Sequence, residues 1–189
     1  MSERRGPESG GAKPVLTAHQ QVRFEESVLP HLDAAYNLAR HILRDGTEAE
    51  DAVQDGCLRA LRHFDGFRGV DGRAWLLSIV RNTCLTYLGR RRAGGGTVAF
   101  DEELHSADSE VSGPEADLAR AGAAEGVSEA LSRLPVEFRE ALVLRELEGL
   151  SYKEIAQVTG APIGTVMSRL ARGRRQLARA LGGGAKEGD

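Results

Sequence analysis

The stretch from Leu150 to Leu181, LSYKEIAQVTGAPIGTVMSRLARGRRQLARAL, leaves the chain little choice of local structure. Ser151 followed three residues later by Glu154 is a capping box, in which each side chain satisfies a backbone N–H of the other at a helix start. Ile155, Ala156 and Val158 give that helix a short apolar face, and Gly160 is placed to end it in a left-handed conformation. Pro162 then pre-sets φ for a second helix. In the second helix Ile163, Val166, Leu170, Leu177 and Leu181 fall at near-helical spacings, while Arg169, Arg172, Arg174, Arg175 and Arg179 fill the remaining surface with no acid among them. A short capped helix turning tightly into a longer, one-sidedly basic helix is the helix-turn-helix arrangement, with the second helix shaped for a major groove. The charge run alone would suit a solvated face or a partner-binding helix equally well. The cap, the glycine turn and the second helix start together point to DNA.

The 189 residues can hold one domain or two small ones. Aromatic residues make up only 5% of the chain, so Leu, Ala and Val must build its cores. A net charge of −3 would be odd for a protein that coats DNA, but charge is strongly segregated along the sequence. Cys57 and Cys84 lack metal spacing and form no CxxC, which predicts two reduced, buried thiols in a cytoplasmic protein. The N-terminus is polar and Gly-rich and no apolar run approaches the length that spans a bilayer, so no membrane insertion is expected. The histidines at 19, 31, 41, 63 and 105 are scattered and no Gly-rich phosphate loop follows a strand. The sequence therefore argues against an enzyme and implies no cofactor, no metal and no catalytic residue.

From the N-terminus, residues 1–18 read as a disordered tail. An amphipathic helical pattern runs from His19 to Leu43, bent near Pro30 and closed by Asp45-Gly46. Thr47 and Glu50 form a second capping-box signature, opening a helix to about His63 with Ala52, Val53, Cys57, Leu58 and Leu61 as its buried stripe. The first half of that helix is acidic and polar through Glu48, Glu50, Asp51, Gln54 and Asp55. Acids favour a helix N-terminus in any case, but this surface also suits docking of a basic partner. A Gly-punctuated loop over 64–72 follows. Asp71 is placed to cap the next helix, whose core face is Trp75, Leu76, Ile79, Val80 and Thr83. Residues 67–92 hold Arg68, Arg73, Arg81, Arg90, Arg91 and Arg92 against one acid, Asp71, a composition suited to single-stranded or distorted nucleic acid. Residues 93–126 carry acids at 101, 102, 103, 108, 110, 115, 117 and 125 against Arg120 alone and show no sustained period, which predicts a flexible acidic linker. A short helix near 127–133 leads to a helix opened by Leu134-Pro135, with Phe138, Leu142, Val143, Leu144 and Leu147 as its stripe and Gly149 as its stop. Residues 182–189 read as a second disordered tail. The predicted fold is all-α: two small helical domains, 19–92 and 127–181, joined by the linker, the second containing the helix-turn-helix.

Four segments, EAEDAVQDGCLRAL (48–61), FRGVDGRAWLLSIVRN (67–82), LPVEFREALVLRELEGLSYKEIA (134–156) and GTVMSRLARGRRQL (164–177), resemble the extracytoplasmic-function (ECF) sigma factors of the bacterial sigma-70 family. The resemblance covers about 20–92 and 127–181. It implies a cytoplasmic promoter-specificity subunit that binds core RNA polymerase and promoter DNA. Its first domain would dock on the β′ clamp helices through Glu50, Asp51, Gln54 and Asp55. The same domain would hold the melted −10 strand near Arg68, Arg73, Arg81 and Asn82, with one base extruded into a loop pocket. Thr165, Ser168, Arg169 and Arg172 match the positions that read the duplex −35 element, and Arg174 and Arg175 those that hold phosphate. The family also implies contact with the β subunit, a linker that threads the polymerase channels, and control by an anti-sigma factor. Thr86 and Gly89 depart from the Asp and Arg common in the family, which touches the C-terminal end of the −10-reading helix. A free-standing regulator using only residues 150–181 would leave the acidic 48–55 surface and the arginines of 67–92 without a task.

Overall fold

The computed structural model describes residues 16–69, 71–93 and 126–183. Most of each predicted tail and of the acidic linker lies outside the described residues. Every regular element among the described residues is helical.

The N-terminal pattern divides more finely than its periodicity indicates. Thr17 caps α1 (Ala18–Ser27): its hydroxyl accepts the Gln20 N–H at 3.3 Å, and the Gln20 side chain accepts the Thr17 N–H at 2.8 Å. Pro30 cannot donate a backbone N–H, so the bend becomes a separate 3-10 turn, Leu29–His31, before α2 (Leu32–Leu43). Arg44, not Gly46, takes the left-handed position after α2, with φ 60°. Asp45 then replaces the expected Thr47 as cap of α3 (Gly46–His63), accepting the Glu48 N–H at 2.8 Å. An Asp one step before the helix is the better acceptor, and it moves the start of α3 upstream.

α3 packs on both α2 and α4 (Gly72–Ala93) and buries small residues, Ala49, Ala52, Gly56 and Ala60. A Cβ on Gly56 would stand 2.7 Å from a Val80 methyl, so the close approach requires glycine. This seam rotates Leu58 outward, and it is exposed rather than part of the buried stripe. Val22, Ile163 and Leu181, also predicted apolar contacts, are exposed as well. Leu38, Ile42 and Leu43 of α2 and Leu76, Leu77 and Val80 of α4 complete the first core. Cys84 is buried there and free, its thiol pushed up to about 12 by burial. Cys57 is free but only half-buried, which corrects the expectation of two buried thiols.

The second unit comprises α5 (126–132), α6 (Val136–Leu142), α7 (Tyr152–Thr159) and α8 (Ile163–Gly183). α6 runs on as a π-helical turn over Val143–Leu147, where the Glu148 N–H reaches the Val143 carbonyl at 3.0 Å. The extra residue in that turn swings the predicted core residue Leu147 into solvent. The Ser151–Glu154 capping box and the left-handed Gly160 are as the sequence indicates. Leu142, Leu144, Leu150, Ile155, Val158, Val166 and Leu170 extend the same hydrophobic cluster into this unit.

The two units are packed together, α4 on α7 and α2 on α6. Arg139 of α6 is buried in the seam. Its guanidinium donates to the carbonyls of Ser132 at 2.7 Å and Leu134 at 3.2 Å, and across to that of Ile42 at 3.3 Å. Burial lowers its pKa to about 10, which still leaves it charged at neutral pH.

Candidate polymerase and promoter interface

With the small residues of α3 buried, Glu50, Asp51 and Gln54 stand exposed. Asp55 is half-buried and accepts the Tyr87 hydroxyl of α4 at 3.0 Å. Burial, reinforced by that bond, raises the pKa of Tyr87 and keeps the phenol a donor. Glu48 is turned away from this group: it takes the Nε of Arg91 at 2.9 Å. The face suited to a basic partner is therefore narrower than the acidic run in the sequence.

The loop after α3 is held by aromatics. Phe64 packs edge-on to Phe24 at 5.2 Å and stacks with Phe67 at 5.6 Å, and Phe67 lies 4.7 Å from Trp75. The loop backbone is thus propped outward, and Asp71 caps α4 by accepting the Ala74 N–H at 3.0 Å. Between the loop and α1 lies a cavity of about 520 Å³ lined by Arg23, Ser27, His31, Phe67, Gly69 and Arg73. A second, of about 410 Å³, is lined by Arg68, Phe67, Trp75 and Gln157 of α7. Burial, then the charge of Arg73, lowers the pKa of His31 at the first cavity. Arg68 is exposed on the loop.

Two arginines of α4, Arg73 and Arg81, have partners in the second unit. Arg73 reaches Glu148 at 2.7 Å. Arg81 meets Glu140 through Nε at 2.7 Å and Nη2 at 2.9 Å, with Glu140 only 1% exposed. Asn82, beside it, is exposed.

On α8, Val166, Leu170 and Gly173 face the core, and a Cβ on Gly173 would stand 3.1 Å from Leu142. That orientation leaves Ser168, Arg172 and Arg175 exposed and Thr165 half-buried. Ser168 donates its hydroxyl to the Thr165 carbonyl at 2.9 Å. Arg169 is turned to the flank, its Nη1 3.5 Å from the same Glu140 that holds Arg81. Arg174 donates to Glu146 at 2.7 and 3.0 Å. The predicted site residues thus form three groups: the α3 face, the loop with α4, and α8.

Residues 28–94 match the family model of sigma-70 region 2, and residues 124–177 that of sigma-70 region 4. The chain is 34% identical over 165 residues to the RNA polymerase sigma-H factor of Pseudomonas aeruginosa, covering 84% of this chain and 86% of that one. It is 38% identical over 173 residues to the ECF RNA polymerase sigma factor SigM of Mycobacterium tuberculosis, covering 89% and 83%. The chain belongs to the ECF group of the sigma-70 family. As an ECF sigma factor it directs promoter-specific transcription. Two solved structures resemble it. One is RpoE in complex with the anti-sigma factor NepR from Bartonella quintana: 28% identity, TM-score 0.70, covering 85% of this chain and 97% of that one. The other is CnrH in complex with the cytosolic domain of CnrY: 28% identity, TM-score 0.59, covering 86% and 90%. Among the described residues no helix is long and apolar enough to cross a membrane.

Sequence reasoning missed Arg23, His31 and Gln157 as cavity residues, and Glu140 and Glu148 as partners of the arginines. Glu140, Glu148 and Gln157 lie within segments already singled out for other reasons, and the contacts of all five are made by elements distant in sequence.

Proposed function

We propose that this ECF sigma factor has no catalysis of its own and distributes its work over the three groups of residues just described. The carrying observation is the division of charge. Glu50, Asp51 and Gln54 stand exposed on α3, while the loop with α4 and the outer face of α8 carry the arginines. An acidic, uncovered turn suits the β′ clamp helices of a cytoplasmic polymerase. Asp55, tied to Tyr87, then fixes the angle of that turn against α4.

In this reading the domain of residues 19–92 docks and captures the melted −10 strand, 93–126 tethers, and 127–181 reads the −35 duplex. Arg68, Arg73, Arg81 and Asn82 face the single strand. The cavity beside Phe67 takes an extruded base, offsetting the few kcal/mol that unstacking costs. On α8, Ser168 and Arg172, with Thr165 and Arg169 at their flank, read base edges, while Arg174 and Arg175 hold phosphates. The anti-sigma factor bound to the similar RpoE structure supports control by a separate anti-sigma protein.

The test is association of the purified chain with core bacterial RNA polymerase, followed by run-off transcription on a promoter library. Association with selective initiation is expected, and Asp51→Arg with Gln54→Ala should abolish both while the fold persists. Unchanged association in that variant sinks the docking assignment. Tight duplex binding with no polymerase association would leave a free-standing regulator as the better account.

A further inference from the structure

The outer surface of α8 is divided lengthwise. Thr165, Ser168 and Arg172 form a polar row, and Ile163, Met167 and Ala171, spaced four residues apart, form an apolar row beside it. Every member of the apolar row is exposed. Ile163 is 43% and Met167 53% exposed, and neither joins the hydrophobic cluster that runs through the chain. The inward side of α8 is already taken by Val166, Leu170 and Gly173, so the row has no core to turn into. Gly164 puts no side chain between the two rows, and the space around it is open. A single exposed apolar residue calls for no explanation, whereas a row in register on the helix assigned to the major groove does. The exposed residues beside it are Ser168, Arg172 and Arg175, and no acid stands between Ile163 and Gly183, so the surface as a whole is built for an anionic partner.

Among the base edges of the major groove the thymine C5-methyl is the one apolar group. We propose that Met167, with Ala171 beside it, is a thymine-methyl contact that makes a T·A pair part of the −35 element this chain prefers. The contact rests on the assignment of α8 to the −35 duplex. Ser168 and Arg172 supply hydrogen-bonding groups from the adjacent row. Met167 supplies a polarisable thioether on rotatable bonds, which can follow a methyl group as the helix settles in the groove. Discrimination then works in both directions. A T·A pair offers Met167 an apolar neighbour, and their contact removes apolar surface of both from water. A G·C pair in the same place sets hydrogen-bonding groups of the base against a side chain that leaves them unpaired, which costs free energy once water is displaced.

The experiment uses holoenzyme assembled from the full chain and core bacterial RNA polymerase, with the preferred −35 duplex taken from the promoter library. Each thymine of that duplex is replaced in turn by deoxyuridine, which removes the methyl and keeps every hydrogen-bonding group. Wild-type holoenzyme should bind about fourfold more weakly with uracil at the contacted position, the effect of one methyl withdrawn from contact. Met167→Ala, a change on an exposed position that leaves the fold intact, should bind the thymine duplex several-fold more weakly than wild type. It should also be indifferent, within about 1.5-fold, to uracil at the position where wild type is sensitive, which is the coupling a double-mutant cycle isolates. An equal uracil effect in wild type and Met167→Ala, no uracil effect at any thymine, or a preferred element without a T·A pair overturns the contact. Loss of core-polymerase association in Met167→Ala also overturns it and makes the apolar row a protein surface. A scrambled −35 duplex separates the two levels. Wild-type preference for the chosen duplex over the scrambled one, with no methyl effect, removes the methyl contact alone. Equal wild-type binding to both removes the −35 assignment of α8 and the contact with it.

Discussion

Arg81 and Glu140, 59 residues apart, form a two-hydrogen-bond ion pair across the seam between the two helical units, with their side chains 12% and 1% exposed. A pair so dry is not automatically stabilising, because desolvation of both charges opposes their attraction. Removing one partner is a different matter, since the other charge stays buried. Arg81→Met should therefore lower the unfolding free energy by about 3 kcal/mol, the low end for a broken buried pair because Arg169 remains near Glu140. Arg81→Met combined with Glu140→Leu should regain at least half of the loss. Urea denaturation of the four proteins of the cycle measures the coupling. Additive losses would mean that the pair contributes nothing beyond its separate side chains.

Two glycines of α4 predict opposite outcomes for the same substitution. A Cβ on Gly72 would stand 1.8 Å from the carbonyl oxygen of Ser27, a backbone atom that cannot swing aside. Gly72→Ala should cost about 3 kcal/mol and disturb the loop that lines the first cavity. Gly89 has open space around it on an exposed stretch of the same helix. Gly89→Ala should stabilise by about 0.5–1 kcal/mol, the difference in helix propensity. Thermal melts of the two variants beside wild type decide both.

A pH dependence follows from the histidines. Burial lowers the pKa of His41, although the Asn37 carbonyl at 2.8 Å opposes the shift, and His31 moves in the same direction. The folded chain therefore binds protons less readily than the unfolded chain. Stability is full above the ordinary histidine pKa and declines as pH falls from about 6.5 toward the folded values. His41→Gln should flatten part of that decline in urea midpoints taken between about pH 7 and 5. Glu154 contributes in a separate window: its carboxyl is held low first by the side-chain bond to Ser151, so its contribution is present above the unfolded carboxylate pKa and lost only in acid.

The elements were legible in the sequence wherever capping chemistry was local. Ser151 with Glu154, Asp71 and Gly160 act as their spacing indicates because each involves only backbone within a few residues. Positions failed where a distant helix decided them. Leu58 was displaced from the core by the Gly56–Val80 approach, and Leu147 by an extra residue in a π-turn that leaves no periodic trace. The candidate site shows the same division. Its arginines are visible as a charge excess, but the carboxylates beside Arg73, Arg81 and Arg169 lie on α6 (Glu140) and just after its π-turn (Glu148) and read in sequence as ordinary acids.

Two of the exposed arginines of α8, Arg172 and Arg175, should separate sequence reading from phosphate contact. Arg172 is exposed beside Ser168, with α8 anchored behind it by Leu170 and Gly173. Arg175 lies one turn further on, its Nε returned to the Ala171 carbonyl at 3.3 Å, which aims the guanidinium along the helix. Arg172→Ala should weaken holoenzyme binding to the preferred −35 element by about 1–3 kcal/mol and relax the choice at one base pair. Arg175→Ala should weaken binding equally on all sequences and reduce the slope of log affinity against log salt by about 1. Holoenzyme titrations on the preferred and scrambled −35 sequences, each at several salt concentrations, measure both quantities. A sequence-independent loss in Arg172→Ala would make Arg172 a phosphate contact and leave base reading to Thr165, Ser168 and Arg169.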